Sequence, residues 1–91
     1  MTRPFRRLTL LDQAAANDIV VLIARAGGTP KARLLLPKSL GIARSLEYVS
    51  LEEASNRGRT AAEKHDLPLA VVIGSGSGLT WQPGWDAWFG L

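Results

Sequence analysis

A chain of 91 residues is short for one domain, so the expectation is a small core and no division into catalytic and regulatory halves. With 46% hydrophobic and 21% charged residues, its composition is that of a folding chain and not of a disordered tail. There is no cysteine, which excludes disulfides, thiolate metal sites and a cysteine nucleophile; a single histidine excludes a histidine-rich metal site, and a formal charge of +3 is a weak field.

Arg3, Arg6 and Arg7 make residues 1–17 a basic N-terminal arm, at most partly ordered, ahead of a single α+β domain over residues 18–91. Such an arm can contact phosphates without reading sequence, although a solvated terminus is the plainer reading. Asp12 and Gln13 interrupt Leu8 to Leu11, so no secretory apolar segment follows the arginines. The longest uninterrupted apolar run, Ile19 to Ala24, is far shorter than the ~20 residues of a membrane-spanning helix. A cytoplasmic protein with no membrane contact is expected.

Residues 18–26 are dense in β-branched side chains with both faces apolar, which predicts an interior strand. Gly27-Gly28-Thr29-Pro30-Lys31 then supplies a reversal, and residues 32–36 return as its hairpin partner. The competing reading is a helix from about Asp12 that ends at Gly27, since short apolar runs do not reveal their own period. From Leu40 to Tyr48, apolar residues at Leu40, Ile42, Leu46 and Tyr48 alternate in an extended pattern broken by Arg44.

Ser50-Leu51-Glu52-Glu53 is a capping box that starts a helix running to about His65, with Pro68 beyond its end. Leu51, Ala54, Gly58, Ala61, Ala62 and His65 form a face of mostly small side chains, and Gly58 suggests close approach of another backbone. Glu53 with Arg57, and Arg59 with Glu63, are spaced four apart as surface pairs. Residues 69–73 form a strand; Gly74-Ser75-Gly76-Ser77-Gly78 is expected to turn the chain so that residues 79–82 return in a second hairpin. The resulting expectation is a small, mostly antiparallel sheet of two hairpins with one main helix packed across it. The order of extended segment, capped helix, strand and Gly-rich hairpin over roughly 45–81 resembles several small bacterial domains in pattern only, and no functional residue is carried over from them.

The Gly-rich loop lacks both the following helix of a dinucleotide fingerprint and the Lys-Ser or Lys-Thr of a P-loop, so a plain turn is the first expectation and an anion-binding nest the third-ranked function. His65 next to Asp66 reads as a helix-terminal histidine in a favourable dipole, not as a catalytic base. No catalytic residue, metal ligand or cofactor is expected. All three tryptophans fall between positions 81 and 88, with Phe89 beside them. Trp85, Trp88 and Phe89 share a face if this tail is helical, and they either complete the core or anchor a partner. The leading expectation is a non-enzymatic protein-interaction module that forms a homodimer through Trp81, Trp85, Trp88 and Phe89. The alternative is a nucleic-acid accessory protein that contacts phosphates through Arg3, Arg6 and Arg7.

Overall fold

The computed structural model describes residues 5–37 and 48–90. Its elements are β1 (Phe5–Leu8), a 3-10 turn (Leu11–Gln13), β2 (Ile19–Ala26), β3 (Thr29–Leu35), α1 (Leu51–His65), β4 (Leu69–Ile73) and the short α2 (Trp85–Phe89). The β-branched run is the strand β2, and the positive φ values of Gly27 and Gly28 carry the chain from it into β3. Of the extended segment expected at 40–48, residues 40–47 lie outside the described residues. Val49 follows it and bridges Ala32 through two backbone hydrogen bonds of 2.8 and 2.9 Å on the outer edge of β3.

The sheet corrects the expected topology. Its order is β1-β4-β2-β3, with β4 parallel to both β1 and β2 and only β2–β3 antiparallel, so it is a mixed sheet with one hairpin. The second hairpin does not form because β4 is an interior strand. β1 and β2 already bond its two edges, leaving residues 79–82 no edge to join.

The helix forms where the sequence places it, with only half of the expected capping box. Ser50 Oγ accepts a hydrogen bond of 3.1 Å from the Glu53 amide, while the Glu53 carboxylate pairs with Arg57 at 3.2 Å. At the other end Asp66 adopts the left-handed conformation, with φ 54° and ψ 50°, and the Leu67 amide bonds Ala62 O. Leu51, Ala54, Ser55, Gly58 and Ala62 are buried, and the Ser55 hydroxyl is satisfied by Glu52 O at 2.7 Å. Gly58 meets side chains, not another backbone. A β-carbon there would lie 3.4 Å from Val21 Cγ2 and 3.5 Å from Leu34 Cδ2 and Leu69 Cδ2.

Side chains alternate between the two faces of the sheet. Ile19, Val21, Ile23, Ala32, Leu34, Leu69, Val71 and Phe5 face α1 and α2 and form the main core. The opposite face carries a smaller buried cluster of Val20, Ala70 and Val72, with Leu8, Ala14, Leu22 and Leu35 half-buried around it. Because β1 and β2 are parallel with β4 between them, residues 9–18 cross this second face to connect them. Among the described residues that crossover is the main cover of this face, with Tyr48 beside Arg33 at the β3 edge.

Candidate interaction surface

The aromatic tail is built into the core. Phe89 is fully buried, its ring edge-to-face on Phe5 at 5.0 Å and tilted against Trp81 at 5.8 Å. Trp85 is also buried and packs edge-to-face on Trp81 at 5.4 Å. The Trp81 indole N–H donates to Asp86 Oδ1 at 2.7 Å, which orients the half-buried ring over the tail. Trp85 and Phe89, four residues apart on α2, therefore share the inward side, and Trp88 remains exposed. Of the four aromatic residues considered as contacts, Trp88 is the one presented to solvent.

Of the three N-terminal arginines, Arg6 and Arg7 have internal partners. Arg6 lies in β1 and pairs with the fully buried carboxylate of Asp18, whose Oδ2 also accepts the Ala15 amide at 2.7 Å. Arg6, Ala70 and Val20 are in register across three strands, and the small Ala70 between them leaves room for Arg6 to lean toward Asp18. Arg7 points to the other face and covers the Trp81 ring at 4.4 Å. Arg3 lies outside the described residues. Arg6 and Arg7 therefore brace the edge strand, and a phosphate would have to compete with Asp18 and with Trp81 for them. The expected Arg59–Glu63 pair is absent; Arg59 lies over the Phe5 ring at 5.4 Å.

The most exposed large apolar side chains gather on the second sheet face. Leu10 and Leu11, on the crossover, are 53% and 42% exposed, and Tyr48 is 41% exposed. Tyr48 stacks under the Arg33 guanidinium at 5.7 Å, which places it with Leu22, Arg33 and Leu35 on the face opposite α1. Two grooves flank the crossover. One, of about 420 Å³, is lined by Leu11, Ala14, Val20, Leu35 and Pro37; the other, of about 620 Å³, runs between Leu10, Asp12 and Leu22 and the Gly74–Gly78 loop. In that loop the Ser77 amide bonds Gly74 O at 3.3 Å and Gly76 has φ 81°, the pattern of a type II turn.

The sequence names Tyr48 only as part of an extended pattern, and it marks none of Leu10, Leu11, Leu22, Leu35 or Tyr48 as a contact residue. The available signal was β2 itself, apolar on both faces in a chain with one substantial helix, which implies a sheet face that helices do not cover. Among the described residues, no group of three or more His, Cys, Asp or Glu is placed to hold a metal ion, and no helix is long and apolar enough to cross a membrane. Compared with known protein families, curated proteins and solved structures, the chain has no match.

Proposed function

We propose that the chain is a small, non-enzymatic protein-interaction module that self-associates through the open face of its sheet. One observation carries this reading: the exposed Leu10 and Leu11 line, with Leu22 and Leu35, the grooves of the same face that carries the exposed Tyr48. Tyr48 and Arg33 add the residue types that most often anchor protein contacts. The aromatic tail supports the reading indirectly. Trp85 and Phe89 are consumed by the core, so the domain does not need a partner to bury them, and Trp88 is left as a subsidiary contact on the other side.

Sedimentation velocity over a wide concentration range tests the proposal. The wild-type chain is expected to associate, and the Leu10→Glu, Leu11→Glu double variant to remain monomeric with an unchanged circular dichroism spectrum. Trp88→Ala should alter the association only slightly. A wild-type chain that stays monomeric at the highest concentration, or an association lost with Trp88 and indifferent to the leucines, refutes it.

A further inference from the structure

We infer that the occupant of the open sheet face is a second copy of this chain, related by a two-fold axis parallel to the strands and held in register by Asp12 of each copy against Lys31 and Arg33 of the other. This deepens the self-association reading and rests on it. A two-fold interface must be self-complementary, so a charge on one side of the axis needs its opposite on the other. The second face meets that condition. Asp12 lines the groove beside Leu22 on the side of β1 and β4, while Arg33 is the cross-strand neighbour of Leu22 and Lys31 that of Ala24, both on the outer strand β3. An axis over β2 near Leu22 therefore exchanges the acidic side with the basic side.

The Arg33 guanidinium lies over the neutral Tyr48 ring, and none of the charges of Asp12, Lys31 and Arg33 is neutralised by an ion pair among the described residues. Arg33 Nε is buried without a hydrogen-bond partner. The same rotation sets Leu10 and Leu11 of one copy against the Leu22, Leu35 and Tyr48 region of the other. Four strands averaging six residues cover roughly 400 Å² at ~4.8 Å between strands and ~3.3 Å per residue, so a pair that buries about 800 Å² per partner must take in the crossover and Tyr48 as well. Apolar contact at the centre with charges at the rim is the usual anatomy of such an interface.

The test is a charge swap read by sedimentation equilibrium at low salt, with circular dichroism confirming the fold of each variant. Asp12→Lys alone and Lys31→Glu alone each place like charges together twice per dimer and are expected to weaken dimerisation roughly tenfold or more. The double variant, and an equimolar mixture of the two single variants, both restore opposite charges between positions 12 and 31 while position 12 still meets Arg33, and should recover a substantial part of the wild-type affinity, more than either single variant retains. Single variants that weaken the dimer without rescue overturn the inference. Dimerisation that disappears in the Leu10→Glu, Leu11→Glu variant yet ignores both charge changes overturns this register and leaves the open-face proposal standing. A wild-type monomer overturns both.

Discussion

Replacing Phe89 by alanine is the most direct measure of whether the tail is core. Phe89 is fully buried and meets Phe5 and Trp81 at ring-centre distances of 5.0 and 5.8 Å. Removing a buried phenylalanine forfeits its transfer free energy and leaves a cavity, together about 3–5 kcal/mol. A domain of this length has a total stability of roughly 5–14 kcal/mol, so the loss is a large share and corresponds to a fall in Tm of at least ~12 °C. Trp88, three residues from Trp85 on the same short helix but exposed, should cost within about 0.5 kcal/mol when changed to alanine. Urea unfolding followed by circular dichroism measures both. A Phe5→Ala, Phe89→Ala cycle adds the pairwise term, expected at about 0.5–1.5 kcal/mol for edge-to-face rings. If Phe89→Ala and Trp88→Ala cost the same, α2 is not docked as described.

The other predictions concern the helix and the edge strand. Gly58→Ala should be neutral or stabilising by up to ~1 kcal/mol in thermal unfolding, because alanine favours the helix and its β-carbon meets Val21, Leu34 and Leu69 at ordinary contact distance. Gly58→Leu should destabilise by roughly 1–3 kcal/mol through overpacking at the same three side chains. Ser50→Ala removes the acceptor for the Glu53 amide and should cost about 1 kcal/mol. Arg6→Ala leaves the Asp18 carboxylate buried with the Ala15 amide as its remaining donor; because Arg6 itself is half-exposed, the expected loss is roughly 1–3 kcal/mol, below that of a fully buried pair. Arg7→Ala, which removes an exposed cation from the Trp81 face, should cost less than about 1 kcal/mol, so equal losses at the two arginines would argue against the Asp18 pairing.

The local elements were legible because each carries its own chemistry. Ser50 and Glu53 announce a helix start, and β-branched residues on both faces announce β2 as interior. Sheet order was not legible, because it depends on partners distant in sequence. Phe5–Leu8 contains two consecutive arginines and reads as a solvated arm; it becomes a strand since β4 offers it an edge and Asp18 and Trp81 each take one guanidinium. Once β1 holds that edge, the loop after β4 has no strand to pair with and runs on to α2.

The same displacement decides which apolar side chains stay exposed. Had residues 79–82 paired with β4, the tail would have emerged from a sheet edge with its aromatic side chains free; with β1 on that edge, the chain turns at Pro83-Gly84 and α2 lays Trp85 and Phe89 inward against Trp81 and Phe5. α1 and α2 thus lie on the side of the main core, and among the described residues the remaining face is covered chiefly by the crossover of residues 9–18. Ten residues cannot cover four strands, so the crossover buries Val20, Ala70 and Val72 and carries Leu10 and Leu11 outward instead of inward. The exposed leucines are therefore a consequence of the parallel β1–β4–β2 arrangement. Composition concentrates aromatic side chains in the tail, yet among the described residues the most exposed large apolar side chains, Leu10 and Leu11, lie on the opposite face of the sheet.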